Sequence, residues 1–334
     1  MPLPVRLLFL VLCTLFAALG GQSARSAVPE PTGPDAARIV TDDLDRFWRA
    51  YDAAQGLAPA QRADVFQRDY LDTGSVGLKE FTRLRIGDGT QLAATIDRHP
   101  RYYASLRGRM DLVPGFEAPI RAGFRRLAAL HPEAVFPDVY LLVGRMNSGG
   151  TLSETGLLIG LEMFGRYPDT PDQELGDWHR AVLRDMDGLP HIVVHELVHY
   201  QQRYALGDSP TLLQLSINEG VADFLGELAS GRHINPHVHA WAEPRARELW
   251  AEFAARRHGT STKGWLYDPA PGQGRPADLG YWVGYRIARA YYERAPDKAA
   301  AVRELLTIED FEAFLARSGL AESLGGPQEG ATSH

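Results

Sequence analysis

Apolar residues recur with helical spacing along most of this chain. The first clear set is Leu44, Phe47, Trp48 and Tyr51. These positions lie three and four apart, which predicts a helix with one buried face. Similar patterns predict further helices over 58–70, 91–106, 119–131, 244–257, 279–294 and 298–317. The chain is therefore expected to be mostly α-helical.

One central stretch has a different pattern. Residues 136–144 form a run of β-branched and aromatic side chains, and residues 147–150 read Asn-Ser-Gly-Gly, a turn signal. A second apolar run, rich in leucine and glycine, follows over 151–164. We expect a β-hairpin or a small antiparallel sheet here, so the predicted fold class is α+β, mostly helical.

Two more helices should follow this sheet, one that starts near Leu189 and contains the apolar run 191–200, and one over 211–230. In the first, apolar residues occur all round the helix, which predicts that it is buried. Pro190 suits its first turn, where the missing N–H removes no hydrogen bond. This helix carries His195, Glu196 and His199 in the pattern H-E-x-x-H.

That pattern is typical of a zinc site. Positions i and i+4 share one helix face, so His195 and His199 can bind the same ion. Glu196 then lies beside the metal and can take a proton from a water molecule. The two buried histidines and the glutamate also need partners, and one Zn²⁺ ion would supply them.

The second helix contains the candidates for the remaining positions. A catalytic zinc has three protein ligands, and Glu219 is the expected third. Asp223 lies one turn further on the same face and is expected to orient a ligand histidine through its other ring nitrogen. Asn218 is a further candidate for this supporting role. The alternative interpretation is a solvated acidic face, which the surrounding apolar residues disfavour.

These motifs resemble those of known metallopeptidases. H-E-x-x-H followed by E-x-x-x-D, with Glu219 20 positions after His199, is similar to the thermolysin-type gluzincin pattern. The wider stretch from about Phe136 to Tyr291 resembles a bacterial family of uncharacterised, predicted zinc-dependent proteases. The segments that carry this second resemblance are 138–144, 147–151, 156–160, 195–199, 218–223 and 280–285.

The resemblance implies a zincin-like domain with His195, His199 and Glu219 as ligands, Glu196 as general base and Asp223 bonded to a ligand histidine. It also implies that the strand over 156–164 is the edge on which an extended peptide lies. The chain has neither the acidic clusters of thermolysin's calcium sites nor a G-x-M-E-N motif. Cleavage preference, and whether the enzyme is an endopeptidase or exopeptidase, stay open.

Peptide hydrolysis also needs a second group to stabilise the oxyanion. The segment 278–287 offers Tyr281, Tyr285 and Arg286 on a predicted helix. The alternative is that these side chains only pack between helices. The pattern Gly-Tyr-x-x-Gly-Tyr favours a catalytic role because it is similar to that of the predicted protease family.

The first residues predict export. Arg6 precedes an apolar run over 7–19 and small residues up to Ala27, which is typical of a signal peptide. The run is short for a membrane span, although a retained signal-anchor is the alternative. Cys13, the one cysteine of the 334 residues, would be removed with it, so no disulfide is expected.

Charge and composition exclude some partners. The net charge is −7, and loss of the two arginines in residues 1–27 takes it to −9. No basic stretch suggests nucleic acid, so the expected partner is a peptide or protein substrate. The predicted organisation is a signal peptide (1–27), a leader (28–34), an N-terminal helical region (35–131), a zincin-like metallopeptidase domain (132–317) and a disordered tail (318–334).

The motifs alone leave three rivals to an exported zinc metallopeptidase. One is a zinc hydrolase that acts on other substrates, since the motif determines the metal chemistry and the cleft determines the substrate. Another is a catalytically silent cell-envelope binding or assembly protein with a zincin fold. A structural zinc site is the third, but such sites usually have four Cys or His ligands.

Overall fold

The computed structural model describes residues 33–268 and 274–325. The predicted signal peptide and most of the predicted leader lie outside this part of the chain. Four strands are present: β1 (Ile39–Val40), β2 (Val139–Leu142), β3 (Gly150–Ser153) and β4 (Gly156–Gly160). The helices that precede β2 are α1 (Asp42–Ala53), α2 (Pro59–Phe66), α3 (Val76–Phe81), α4 (Gly89–Arg98), α5 (Pro100–Leu106) and α6 (Glu117–Leu130).

The helices that follow β4 are α7 (Asp177–Val182), α8 (Leu189–Gln201), α9 (Leu212–Ser230), α10 (Pro236–Ala242), α11 (Ala246–Arg256), α12 (Leu279–Arg294), α13 (Lys298–Leu306), α14 (Phe311–Ser318) and α15 (Leu320–Gly325). The fold class, α+β and mostly helical with a small sheet before the H-E-x-x-H helix, is confirmed.

The sheet is mixed, with the order β1-β2-β4-β3. β2 pairs in parallel with both β1 and β4, and only β3 and β4 form an antiparallel hairpin. The hairpin turn therefore lies at residues 154–155. Residues 143–149 connect β2 to β3, which lie on opposite sides of β4. Buried Glu162 holds that connection, because its carboxylate accepts hydrogen bonds from the N–H groups of Gly144 and Met146.

This order corrects the expected position of the exposed edge. The resemblance implied that the strand over 156–164 was the edge, but β4 is an inner strand whose two sides are paired. Within the described part of the chain, β3 is hydrogen-bonded on one side only and forms the edge next to α8. The edge was expected from the resemblance alone, because the pattern of residues identifies strands and not their order in a sheet.

Several helices are shorter than periodicity predicted. The predicted helix over 91–106 is divided at His99, because Pro100 cannot continue the hydrogen-bond ladder and instead begins α5. The predicted helix over 298–317 is divided into α13 and α14, and Asp310 caps the second through the Ala313 N–H. In the predicted disordered tail, residues 320–325 form α15, with Leu320 buried, and 326–334 lie outside the described residues.

Two helices, α6 and α12, pack against the α8–α9 pair. α6 lies against both, and a Cβ on Gly123 of α6 would lie 2.4 Å from Val194 Cγ2 of α8. α12 crosses α9 at Gly220 and Gly284, where a Cβ on Gly220 would lie 2.0 Å from the Gly284 carbonyl carbon. The N-terminal helix α6 therefore packs directly on the helices that carry the candidate site.

No helix in the described ranges is both long enough and apolar enough to cross a membrane.

The crossing of α9 and α12 should tolerate only glycine at position 220. In Gly220→Ala, the new methyl group would meet backbone atoms of α12, which cannot rotate away. We expect the free energy of unfolding to fall by about 1–3 kcal/mol or more, measured by urea unfolding. The control is Gly108→Ala, where no atom lies within 4 Å of the added Cβ. Equal stability of the two variants would contradict the close crossing.

Candidate metal centre

The three residues of the H-E-x-x-H pattern lie on the buried side of α8. His195, Glu196 and His199 expose 5%, 8% and 6% of their surfaces. α8 begins at Leu189 with Pro190 in its first turn, as predicted. It packs against α9. Thr211 caps the N-terminus of α9, because its hydroxyl accepts a hydrogen bond from the Gln214 N–H. Two regular helices thus present the polar groups to each other.

Three atoms of these helices form a small triangle. His195 Nε2 lies 3.1 Å from His199 Nε2, and Glu219 Oε2 lies 3.2 Å from His199 Nε2 and 3.7 Å from His195 Nε2. Ligand atoms about 2.0–2.1 Å from a tetrahedral zinc would be about 3.3 Å apart. The triangle therefore fits one zinc ion. Within the described ranges, this is the one group of three His, Cys, Asp or Glu side chains that could hold a metal.

The second nitrogen of each histidine faces an acceptor. His195 Nδ1 lies 2.9 Å from Asp223 Oδ1, which is close enough for an ion pair. The geometry between these two atoms is not that of a hydrogen bond. The other oxygen of Asp223 accepts from the Asn235 side chain at 2.9 Å. An acceptor at Nδ1 favours the tautomer whose Nε2 is free for a metal.

His199 is oriented by an amide. Its Nδ1 lies 2.7 Å from Gln202 Oε1, and the Gln202 side-chain amide donates to the Asn218 carbonyl oxygen at 2.8 Å. Asn218 thus contributes through its backbone, whereas the sequence suggested its side chain. Both histidines consequently turn Nε2 towards Glu219.

The charges of the cluster favour a bound cation. Burial alone lowers the pKa of His195, but the contacts with Asp223 and Glu219 outweigh it and raise this pKa to about 10. Burial raises the pKa of Glu219, yet the nearby charges of His199 and His195 lower it well below its usual range. Glu219 is therefore anionic, and a metal ion would compete with protons for this site.

Glu196 is placed differently from the other acids. Its Oε2 is buried and accepts no hydrogen bond from any described residue. Its carboxylate lies against β3, where a Cβ on Gly150 would come within 2.3 Å of Oε1. A carboxylate without a protein partner beside a metal site is suited to exchange protons with water.

A cleft of about 210 Å³ opens onto His195, Glu196 and Glu219. Its wall is largely apolar and comes from several parts of the chain. The apolar side chains include Met163, Phe164, Trp178, Val182, Ile192 and Ile234. Next to them lie the polar groups of 147–150 and the segment 277–281.

The three oxyanion candidates occupy different places. Tyr281 lines the cleft, and its ring stacks on that of His195 with centroids 6.3 Å apart. Tyr285, one turn further along α12, donates to Glu227 at 2.6 Å. Arg286 forms an ion pair with Glu243 and lies over the Trp282 ring. The structure brings Tyr281 to the cluster and does not bring Tyr285 or Arg286 there.

Sequence reasoning did not find three supporting side chains. Gln202 is three positions after His199, so helical spacing was a usable signal for it. Asn235 and Tyr267 come from irregular segments, and no spacing connects them to the motif. Tyr267 donates to Glu219 Oε1 at 2.6 Å, from a loop for which no particular residue was predicted.

Comparison with known proteins supports the metal assignment at a coarse level. Residues 182–311 match a family model described as a predicted Zn-dependent protease (DUF2268). The match covers less than half of the chain but includes α8, α9, Tyr267 and Tyr281. No curated protein and no solved structure matches the chain. The chain is therefore similar to a predicted zinc-protease family, and its buried His195–His199–Glu219 group is compatible with zinc.

Proposed function

We propose that this protein is an exported zinc metallopeptidase. The observation that carries the proposal is the triangle of His195 Nε2, His199 Nε2 and Glu219 Oε2, with the partnerless carboxylate of Glu196 beside it. Three ligands on an open cleft are typical of catalytic zinc, whereas structural zinc usually has four. The similarity to a predicted Zn-dependent protease family agrees with this assignment.

His195, His199 and Glu219 would hold the ion. Zinc bound there would lower the pKa of a water molecule to about 7 and polarise the substrate carbonyl. Glu196 accepts the proton of the attacking water and then donates it to the leaving amine. Tyr281, beside His195 in the cleft, is the candidate donor to the oxyanion.

The surroundings of Glu196 favour a peptide as substrate. β3 is an edge strand of the described sheet and begins at Gly150, against the Glu196 carboxylate. An extended peptide can pair with such an edge, which would place a peptide bond beside the base. The apolar wall, with Ile192 one turn before Glu196, would then receive a large apolar side chain of the substrate.

The two remaining alternatives, a zinc hydrolase with other substrates and a silent binding protein, would require different features of the site. A zinc hydrolase of another class has no need of an edge strand along the cleft. A silent binding protein has no need of a general base, yet Glu196 is kept free of hydrogen-bond partners among the described residues. Both features together favour peptide hydrolysis.

Glu196→Gln should separate metal binding from catalysis. The amide has a similar shape but cannot accept the proton, so zinc content should stay near one ion per chain while peptide hydrolysis falls by about 10²–10⁴-fold. The assay is cleavage of a peptide mixture followed by mass spectrometry, and cuts are expected next to large apolar residues. If wild type with full zinc cleaves no peptide, the protein is another type of hydrolase or a binding protein. Unchanged turnover in Glu196→Gln would exclude Glu196 as the base.

Gly150→Ala tests the space that β3 leaves for Glu196. A methyl group there would displace the carboxylate, because it would lie 2.3 Å from Oε1. We expect kcat to fall by about 10-fold or more, since a small misplacement of a catalytic group is costly. Zinc affinity should not change, because Glu196 is not a ligand. Loss of zinc together with activity would contradict this account.

Export is proposed from residues 1–27 alone. In the native host, the mature chain should begin near Ser26 or Ala27, because small residues precede a signal cleavage site. Mass spectrometry of the purified exported protein measures its N-terminus. Recovery of the chain with residues 1–27 intact would instead indicate a retained anchor.

A further inference from the structure

The two oxygens of Glu219 have different partners. Oε2 faces His195 Nε2 and His199 Nε2, at 3.7 and 3.2 Å. Oε1 accepts a hydrogen bond from the Tyr267 hydroxyl at 2.6 Å. Glu219 is 1% exposed, so this short bond lies away from solvent. The phenol therefore occupies Oε1, and Oε2 is the oxygen that faces the two histidines.

Tyr267 is itself held in an unusual backbone conformation. Its φ is +58°, in the left-handed region that residues with a side chain seldom adopt. The Tyr267 N–H donates to Asp278 Oδ1 at 2.9 Å. Asp278 is also left-handed, with φ +66°, and directly precedes α12. Two strained residues are thus joined by one hydrogen bond at the wall of the cleft.

Neighbouring contacts anchor this arrangement to the helices. Trp265 is fully buried against Phe253, and its carbonyl oxygen accepts from the Gly280 N–H at 2.8 Å. The Gly264 N–H donates to Asp268 Oδ2 at 2.7 Å. Strained conformations of this kind persist only when the surrounding structure imposes them, and they are concentrated at functional sites.

We propose that Tyr267 is a positioning residue, held by Asp278, that makes Glu219 bind the metal through Oε2 alone. The proposal rests on the proposed zinc site. Without the phenol, the carboxylate could rotate and offer both oxygens to the ion. One-oxygen binding leaves room at the metal for water and substrate, as a catalytic site requires.

The test uses the full-length mature protein in four variants. Tyr267→Phe removes the hydroxyl and keeps the ring. Asp278→Gly suits the left-handed backbone but removes the acceptor, whereas Asp278→Asn suits the same backbone and keeps an oxygen at Oδ1. The control, Tyr285→Phe, removes a Tyr–Glu hydrogen bond of the same 2.6 Å length that lies on Glu227, outside the cluster.

Two measurements report on the metal independently of turnover. One is zinc affinity by competition with a chelator, and the other is the visible absorption of the Co²⁺-loaded protein, which depends on coordination number. Tyr267→Phe and Asp278→Gly should weaken zinc binding by about 10–100-fold, because the ligand carboxylate is no longer held in one orientation. A second carboxylate oxygen at the ion should also reduce the intense Co²⁺ bands typical of four-coordination. Asp278→Asn and Tyr285→Phe should resemble wild type in both measurements.

The outcomes separate this proposal from the proposed function. If wild type binds zinc and Tyr267→Phe matches it in affinity and spectrum, the positioning role of Tyr267 is wrong while the zinc site stands. If Asp278→Asn loses as much affinity as Asp278→Gly, the hydrogen bond at Oδ1 is not what holds Tyr267. If wild type binds no metal, the proposed function fails and the positioning role fails with it.

Discussion

Burial of four polar side chains between α8 and α9 is the constraint that organises the centre of this protein. His195, His199, Glu219 and Asp223 are each 6% exposed or less. Polar and charged groups removed from water cost free energy unless they are paired, so each must have a partner within the fold. Asp223 partners His195, Gln202 partners His199, and Tyr267 partners Glu219. The atoms that still face one another are the three suited to a metal.

Three separate packing arrangements meet at this cluster. The α8–α9 pair supplies the candidate ligands, and the sheet edge brings Gly150 against Glu196. The close crossing at Gly220 and Gly284 brings the first turn of α12, and with it Tyr281, beside His195. The groups proposed for binding, proton transfer and oxyanion stabilisation therefore belong to three different contacts. A substitution at one of these contacts should therefore affect one of the three roles, which are metal binding, proton transfer and oxyanion stabilisation, before the other two.

Backbone strain is concentrated near the same place. The three residues other than glycine that have positive φ in the described part of the chain are Met146, Tyr267 and Asp278. Met146 directly precedes the cleft residues 147–150, and the other two line the cleft. Two of them donate their N–H groups to carboxylates: the Met146 N–H to Glu162, and the Tyr267 N–H to Asp278. Rigid supports of this kind hold a site in one geometry at the expense of local strain.

Local spacing was enough to predict the helices and the candidate ligands. His195 and His199 share a helix face whatever surrounds them, and the same is true of Glu219 and Asp223, because the helical repeat depends on the backbone alone. The apolar character of both helices also predicted their burial. The helix α12 was predicted with the bounds that it has, and Pro100 explains why the helix predicted over 91–106 was too long.

The sheet order, the exposed edge and the roles of Tyr281, Tyr285 and Tyr267 depended on tertiary structure. β3 and β4 have similar patterns, and only the pairing of β2 with β4 decides which of them is the edge. Tyr281 and Tyr285 are equivalent in spacing, but the crossing of α9 and α12 directs one to His195 and the other to Glu227. Tyr267 reaches Glu219 from 48 positions away. Periodicity describes which residues share a face of one element, whereas contacts between distant segments arise only when the whole chain packs.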